Sequence, residues 1–396
     1  MKQSSSQIPR PLHERIVASL ADVLGDGKHA LHEPSFMGEE LQCLKECISS
    51  TYVSSVGPFV DRFEKAIAEY TGSRRAVAVV NGTSALQVAL QLAGVKAGDE
   101  VVMPALTFVG TANAARYLGA TPHFADSSLN NLGLDPDALQ EWLKYVVEKT
   151  STGSRNRFTG SRISALVPMH TFGHPCEIER LVGLATDYQL RVVEDAAESL
   201  GSYYGDRHTG TFGCCGILSF NGNKIITTGG GGAILTNDIG LADHAKHLTT
   251  TAKVNHRWDY VHNEVGYNFR MPNLNAALGC AQLESMPKLL ASKRSLTSLY
   301  SKCFTDIAEV TLMKEPHGCT SNYWLQTLIL AESVSDQRDR ILEATNNFGL
   351  STRPVWRPIH QLSPYMSCPC APLPVAESLA RRIINLPSSA KLVCRA

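Results

Sequence analysis

The feature that most constrains this chain is the alternation of strand-like and helix-like segments between residues 75 and 236. Apolar, β-rich runs are followed by runs with apolar residues at helical spacing, as in RRAVAVV then SALQVALQLAGV, and EVVMP then TANAARYLG. Strands separated by helices in this way favour a mostly parallel sheet that is covered by helices. The predicted fold class is therefore α/β, with a mostly parallel central sheet in a large domain and a smaller C-terminal α+β domain.

The pattern also suggests where the domains divide. Residues 1–40 form a predicted N-terminal extension, residues 41–285 the large domain and residues 286–396 the small domain, with a long helical run around residues 276–304 as the bridge. Within the large domain, the run DPDALQEWLKYVVEK predicts a helix over residues 135–149. The polar insertion TSTGSRNRFTGSR, residues 150–162, predicts a surface loop or hairpin.

Composition excludes several classes of function. Lys and Arg together number 37, as do Asp and Glu, so the net charge gives no general reason to expect nucleic acid or an anionic membrane as partner. The start of the chain lacks a signal peptide's apolar core, and no apolar run is long enough for a membrane span. We therefore expect a cytoplasmic protein whose eleven cysteines are reduced.

No metal site is predicted. The spacings of Cys214-Cys215 and of Cys368 and Cys370 do not match common zinc sites. His170 and His174 have the i, i+4 spacing of a metal-binding helix, but the intervening glycine and the strand-end context argue against a helix there.

Three short stretches could together hold one phosphorylated cofactor. Gly82, Thr83 and Ser84 open a helix directly after a strand, where backbone N–H groups bind phosphate. Asp195 ends a buried strand, and Lys224 lies between a strand and the glycines of TTGGGG. Each has a plainer interpretation taken alone: a helix N-cap, a capping carboxylate, a solvated charge. Together they supply phosphate donors, a carboxylate for a pyridine nitrogen and an amine for an aldehyde, which are the contacts that pyridoxal phosphate needs.

The ordered set of motifs resembles the DegT/StrS-type, pyridoxal phosphate-dependent sugar aminotransferases, which have the aspartate aminotransferase fold (fold type I). The resemblance extends from about residue 33 to residue 393. It is carried by TYVSSVGPFVDRFE, NGTSAL, PALTFVGTANA, VPMHTFGHPCEIERL, VEDAAESLGSYYGDRHTGTFG, SFNGNKIITTGGGGAILTND and EVGYNFRMPNLNAALGCAQLE.

The resemblance implies a role for individual residues. Lys224 would attach the cofactor covalently, and Asp195 would pair with the ring nitrogen. Asn268 would reach the phosphate of the neighbouring subunit's cofactor, which implies a homodimer with shared active sites. The other cofactor-binding residues that it implies are Gly82, Thr83, Ser84, Phe108, Glu198, Ser219 and Asn221.

Two positions depart from the family pattern. Tyr52 stands where tryptophan is usual, a mild change in an aromatic wall. Glu198 stands where many relatives carry Gln or His beside the cofactor's 3-oxygen. Because a carboxylate facing a phenolate is unfavourable, we predict either a raised pKa for Glu198 or a contact other than the 3-oxygen.

Within the family, the chain is most similar to enzymes that aminate C4 of UDP-linked 4-keto-6-deoxy-N-acetylhexosamines, of the bacillosamine and legionaminic acid type. The resemblance therefore implies L-glutamate as amino donor and this sugar as acceptor. The predicted substrate-binding residues are Ser54, Ser55, His170, Arg270, Tyr323, Trp356 and His360, with Trp324, Arg353 and Arg357 as further candidates.

Other activities remain open on the same fold. The acceptor could be a GDP- or dTDP-linked keto-sugar with the ketone at C3 or C4, and a non-catalytic regulatory or scaffold protein is the alternative from another class. A sugar dehydratase of this family would carry histidine in place of Lys224, which is present. A dinucleotide-dependent enzyme would need a GxGxxG motif after the first strand, which is absent.

Overall fold

The computed structural model describes residues 10–151 and 153–393. In these ranges the α-helices are α1 (Leu12–Leu24), α2 (Glu40–Ser49), α3 (Pro58–Thr71), α4 (Gly82–Leu92), α5 (Val109–Tyr117), α6 (Pro136–Val146), α7 (Ile178–Asp187), α8 (Ile239–Thr249), α9 (Asn273–Glu284), α10 (Met286–Cys303), α11 (Arg338–Asn347) and α12 (Pro374–Arg382).

The strands of the same ranges form four sheets. They are β1 (Arg75–Val79), β2 (Glu100–Pro104), β3 (Thr121–Ala125), β4 (Val147–Thr150), β5 (Gly153–Asn156), β6 (Arg162–Leu166), β7 (Arg191–Asp195), β8 (Tyr203–Tyr204), β9 (Arg207–His208), β10 (Cys215–Ser219), β11 (Gly232–Thr236), β12 (Lys253–Val254), β13 (Val261–His262), β14 (Val310–Leu312), β15 (Cys319–Thr320), β16 (Gln326–Leu330), β17 (Arg353–Pro354) and β18 (Ile383–Leu386).

The largest sheet has the strand order β1-β11-β10-β7-β6-β2-β3. From β10 to β3 every neighbouring pair is parallel, and the pairs β1–β11 and β10–β11 are antiparallel. Helices such as α4 and α5 follow the strands and bury apolar side chains against the sheet. The predicted α/β fold class, with a mostly parallel central sheet, is confirmed.

This topology brings distant parts of the sequence to one edge of the sheet. β7 ends at Asp195, β10 ends at Ser219, and α4 begins at Gly82 just after β1. β7 and β10 are parallel neighbours, so their carboxyl ends lie side by side. Ligands of open α/β sheets bind at such an edge.

A second sheet of four strands, β14-β16-β18-β17, is built from the C-terminal part of the chain. Its apolar core includes Leu328, Tyr300 of α10 and Ile341 of α11, and α1 contributes Ile16 and Leu20. The predicted N-terminal extension therefore packs, through α1, on this smaller unit. The helical run around residues 276–304 is divided into α9 and α10 at Ser285, and the domain boundaries at residues 40 and 285 stay predictions.

The insertion of residues 150–162 contributes to an antiparallel hairpin, β4–β5, which is joined to the main sheet through β6. The prediction of a loop or hairpin is confirmed, with Thr152 outside the described residues. The predicted helix over residues 135–149 was wrong at its end. α6 ends at Val146 and residues 147–150 form β4, because this segment pairs with residues 153–156 and extends the sheet.

Candidate active site

A cavity of about 280 Å³ lies at the carboxyl edge of the main sheet. Segments from both the large sheet and the C-terminal part of the chain line it. The lining residues are Asn81, Gly82, Thr83, Leu86, Phe108, Gly110, Thr111, Met169, Asp195, Ala197, Glu198, Ile217, Ser219, Asn221, Asn223, Lys224, Gly230, Gly231, Trp324 and Trp356.

One wall of the cavity is the N-terminus of α4. The side chain of Asn81 caps this helix by accepting the backbone N–H of Ser84 at 2.8 Å. Gly82 and Thr83, the first two helical residues, line the cavity. A Cβ atom at Gly82 would lie 3.0 Å from Cβ of Ser219, so the glycine lets the helix end approach β10 closely. The first N–H groups of a helix have no partner within the helix, and they make this wall suitable for an anion.

The carboxylate of Asp195 is held from two sides. Thr111 donates its hydroxyl to Oδ2 of Asp195 at 2.6 Å, and the backbone N–H of Ala197 donates to Oδ1 at 3.2 Å. Burial raises the pKa of Asp195, while the hydrogen bond from Thr111 acts in the opposite direction. A positively charged group bound in the cavity would stabilise the ionised form of Asp195.

The amine of Lys224 lies between an aromatic ring and a carboxyl group. Its Nζ atom is 4.0 Å from the ring centroid of Trp324 and 3.4 Å from Oε1 of Glu198. Trp324 is itself fixed, because its indole N–H donates to the backbone carbonyl of Asn223 at 2.7 Å. With 13% of its side chain exposed, Lys224 is mostly shielded from solvent yet lines the cavity.

Glu198 is 3% exposed and contacts two groups. Its Oε2 atom accepts the backbone N–H of Phe172 at 2.9 Å, and Oε1 faces Lys224. Burial raises the pKa of Glu198 to about 7, although the charge of Lys224 lowers it. This direction agrees with the raised pKa that the sequence leads us to expect for Glu198, and the alternative of a contact other than the 3-oxygen stays a prediction.

The residues of the cavity fit pyridoxal phosphate. The N-terminus of α4 lines the cavity at Gly82 and Thr83, where a phosphate could bind, and Asp195 is a buried carboxylate whose hydrogen-bond donors in the described part of the chain, Thr111 and Ala197, are uncharged. Lys224 supplies an amine in the same cavity. These are the three groups that the cofactor's phosphate, ring nitrogen and aldehyde require.

The structure brings together most of the predicted cofactor-binding residues. Gly82, Thr83, Phe108, Asp195, Glu198, Ser219, Asn221 and Lys224 all line the cavity. Ser84 and Asn268 do not. Ser84 is buried within α4 beside its cap Asn81, and Asn268 is exposed and accepts a hydrogen bond from Arg270 at 3.3 Å.

Of the predicted substrate-binding residues, Trp356 lines the cavity and His170 does not. His170 is fully buried, and its Nε2 atom lies 3.1 Å from Oε2 of Glu194, a carboxylate that also accepts three backbone N–H groups. This burial corrects the expectation that His170 faces a substrate.

Trp324, one of the further candidates, lines the cavity as well, whereas the remaining predicted substrate-binding residues do not. Tyr323 is buried and its hydroxyl accepts the backbone N–H of Glu315, while His360 contacts Glu377 at 3.1 Å. Ser54, Ser55 and Arg270 belong to segments that do not line the cavity within this chain, and Arg353 and Arg357 are exposed.

Sequence reasoning missed three polar residues of the cavity: Asn81, Thr111 and Asn223. The helix-capping spacing NGTS could have identified Asn81. Thr111 is separated from Asp195 by 84 residues, and nothing in its local sequence indicates that contact.

The comparison with family models matches residues 34–394 to the DegT/DnrJ/EryC1/StrS aminotransferase family. Among curated proteins, GDP-perosamine synthase of Escherichia coli O157:H7 is 36% identical over 358 residues, which cover 90% of this chain and 92% of the relative. GDP-perosamine synthase of Caulobacter vibrioides is 35% identical, with 91% and 92% covered.

Among solved structures, DesI in the presence of its TDP-sugar product superposes with a TM-score of 0.81 at 29% identity. The match covers 94% of this chain and 91% of the other. The family match over residues 34–394 includes every segment that lines the cavity.

Proposed function

The chain belongs to the DegT/DnrJ/EryC1/StrS aminotransferase family and is a pyridoxal phosphate-dependent nucleotide-sugar transaminase. We propose that it transfers the amino group of L-glutamate to the C4 ketone of a GDP-linked keto-sugar. The observation that carries the proposal is the presence of Lys224, Asp195 and the N-terminus of α4 in one cavity. This combination speaks against the regulatory or scaffold alternative, which does not require the amine or the carboxylate.

The choice of GDP rests on the relatives. Two proteins that are 35% and 36% identical over nine tenths of the chain are named for a GDP-linked amino sugar, whereas the TDP-sugar enzyme is 29% identical. The UDP-linked N-acetylhexosamine of the bacillosamine or legionaminic acid type stays a prediction from the sequence. The GDP-linked sugar is our first choice because the similarity to its relatives is higher.

In the proposed reaction, pyridoxal phosphate supplies a carrier for the amino group and an electron sink for the carbanion at the reacting carbon. Asp195 would hold a negative charge for the protonated ring nitrogen, and Thr111 holds this carboxylate in place. The N–H groups at the start of α4, with Ser219, would anchor the phosphate. Phe108 and Trp356, whose ring centroids are 6.5 Å apart, form an aromatic wall of the cavity.

Lys224 has the central role in proton transfer. As a free amine, Nζ of Lys224 takes the proton from Cα of the donor and later delivers a proton to C4 of the sugar. The indole ring 4.0 Å away and the carboxyl group 3.4 Å away restrict the positions that Nζ can occupy. The substrate must therefore present its reacting carbon on the side of the cavity that Lys224 faces.

We further propose that the enzyme is a homodimer whose subunits share active sites. An apolar surface on and after α2 is exposed, with Leu41 84%, Ile48 61% and Val56 66% exposed. An apolar surface of this kind is typical of a protein interface. A second copy of the chain is the proposed occupant, and it would bring the exposed Asn268 to the partner's phosphate site. A cytoplasmic location stays a prediction; no helix in the described part of the chain is long and apolar enough to cross a membrane.

The acceptor can be tested with matched sugars. The purified enzyme, given L-glutamate, is assayed by mass spectrometry for amine transfer to GDP-linked and TDP-linked 4-keto-6-deoxyhexoses and to the UDP-linked 4-keto-6-deoxy-N-acetylhexosamine. We expect kcat/KM for the GDP-linked sugar to exceed that of the others by at least about tenfold, which corresponds to about 1.4 kcal/mol of transition-state binding. Preference for the UDP-linked N-acetylhexosamine would refute the GDP assignment and leave the transaminase intact.

A further inference from the structure

The carboxyl group of Glu198 occupies a fixed position beside the reactive lysine. Its Oε2 atom accepts the N–H of Phe172 at 2.9 Å, so its rotation is restricted, and its Oε1 atom lies 3.4 Å from Nζ of Lys224. Only 3% of Glu198 is exposed, and the side chain of Lys224 is 13% exposed. The two groups therefore form a pair that is largely shielded from solvent.

The turn that holds Glu198 has an unusual backbone. Phe172 is fully buried and has φ = +55°, a conformation that non-glycine residues rarely adopt. Gly173 follows with φ = +94°, where a Cβ atom would overlap Oδ1 of Asn322. Asn322 in turn donates to the backbone carbonyls of Glu198 and Leu200, both at 2.9 Å. Such backbone strain is maintained only when the surroundings impose it, and it concentrates at functional sites.

Asp195, the other carboxyl group of the cavity, is already engaged. Its two oxygens accept hydrogen bonds from Thr111 and Ala197, and none of its hydrogen-bond donors is Lys224. Glu198 instead uses one oxygen for the backbone and leaves the other for Nζ. The two carboxyls therefore have separate tasks.

We propose that Glu198 is the proton-exchange partner of Lys224, and this inference rests on the proposed role of Lys224. The exchange is written Lys224–NH₃⁺ + Glu198–COO⁻ ⇌ Lys224–NH₂ + Glu198–COOH, so that one proton moves from Nζ to Oε1 and no other bond changes. The forward direction produces the free amine that abstracts a proton from the substrate. The reverse direction recharges the amine after the proton has been delivered.

The charges around the pair are consistent with this exchange. Burial and, to a smaller extent, the neighbouring Asp195 raise the pKa of Glu198 to about 7, although the charge of Lys224 lowers it. On the other side of Lys224, burial lowers the pKa of His32, and the charges of Lys293 and Lys224 lower it too. Burial also lowers the pKa of Lys293. A carboxyl group with a pKa near neutrality loses and regains a proton at little cost.

The test measures the protonation of Lys224 without turnover. The full-length enzyme is loaded with pyridoxamine phosphate, which leaves Lys224 uncoupled, and is treated briefly with acetic anhydride between pH 6 and 10. The acetylation rate of Lys224 is quantified by peptide mass spectrometry relative to that of Lys28, an exposed lysine of the same chain. Parent, Glu198→Gln and Glu198→Asp proteins are compared.

We expect Glu198→Gln to increase the relative acetylation of Lys224 near pH 8 by about tenfold or more, because loss of an anion within 4–6 Å lowers an amine's pKa by about 1–3 units. The inflection near pH 7 should disappear as well. Glu198→Asp, which keeps the carboxyl group, should resemble the parent more closely than Glu198→Gln does, both in the acetylation rate of Lys224 and in the inflection near pH 7. Retention of the cofactor by each variant checks that the cavity is intact.

Identical profiles for the parent and Glu198→Gln proteins would overturn the proton exchange. Failure of the proposed function would look different. In the pyridoxal phosphate form, borohydride reduction fixes the cofactor to the lysine that bears it, and a label on any lysine other than Lys224 would refute the role of Lys224 itself. A label on Lys224 with unchanged acetylation in Glu198→Gln would refute only the partnership.

Discussion

The hydroxyl of Thr111 should control the charge state of Asp195, and Thr111→Val tests this directly. The hydroxyl donates to Oδ2 of Asp195 at 2.6 Å, and Asp195 is 3% exposed. A hydrogen bond to a charged group contributes about 1.5–3 kcal/mol. At about 1.4 kcal/mol per pKa unit, its removal should raise the pKa of Asp195, already raised by burial, by about one to two further units.

The sign of the pH dependence follows from this shift. A carboxyl group whose pKa is raised by folding contributes stability at low pH, and this contribution is lost as the pH rises through the folded-state pKa. Thr111→Val should therefore cost more in unfolding free energy at about pH 8 than at about pH 4. The difference is about 1–2 kcal/mol, since a neutral hydrogen bond contributes about 0.5–1.5 kcal/mol and a charged one about 1.5–3 kcal/mol.

The assay is urea unfolding of the cofactor-free protein at a series of pH values. Thr249→Val is the matched control, because Thr249 is equally buried and donates to the backbone carbonyl of Ala245 at 2.7 Å rather than to a carboxylate. Its cost should be the same at all pH values. We also expect Thr111→Val to weaken the binding of pyridoxal phosphate by about ten- to a hundredfold, the equivalent of about 1.5–3 kcal/mol. Parallel pH profiles for the two valine variants would refute the reasoning.

Three further predictions follow from particular contacts. Burial raises the pKa of Glu198 from 4.5 to about 7, so the ionised side chain lowers the stability of the parent protein above neutral pH. In urea unfolding, the free energy of unfolding of Glu198→Gln relative to the parent should therefore rise by about 3 kcal/mol from pH 4 to pH 8.5, and a pH-independent difference would contradict this. Gly173→Ala should lower the unfolding free energy by about 2–4 kcal/mol, because the new side chain strains the backbone and overlaps Asn322. The control Gly183→Ala, in helix α7 with no neighbouring atom within 4 Å, should raise the unfolding free energy by about 1 kcal/mol, and equal effects would show that the turn at Gly173 is not constrained. Leu41→Lys should raise the dissociation constant of the proposed dimer, measured by sedimentation, by at least about tenfold. Because Leu41 is 84% exposed, the substitution should not unfold the chain, and an unchanged dissociation constant would place the interface elsewhere.

The parts of the site that could be predicted are those that coincide with strand ends. The apolar run before Asp195 and the run before Lys224 identify two buried strands, and parallel pairing of β7 with β10 then places their carboxyl ends together. Gly82 and Thr83 are recognisable because a strand passes directly into a helix there. In each case the local pattern and the sheet topology lead to the same conclusion.

The parts that could not be predicted depend on contacts between distant segments. Trp324 lies 100 residues after Lys224, yet their side chains meet because the C-terminal unit packs against the cavity. His170 has the polarity of a ligand-binding residue, but it is fully buried and its polar contact is with the buried Glu194. α6 ends early because residues 147–150 find a strand partner, which outweighs the helical spacing of their own side chains.

The most direct test of the account is the visible absorption spectrum of the purified enzyme, reconstituted with pyridoxal phosphate, before and after addition of L-glutamate, beside Lys224→Ala. The account predicts that the parent protein is yellow and is bleached by glutamate with formation of one equivalent of 2-oxoglutarate. The variant should lack the yellow form or should not respond to the donor. A parent protein that stays colourless with added pyridoxal phosphate, or a variant that is bleached as fast as the parent, would contradict the assignment of Lys224 as the residue that carries the transamination.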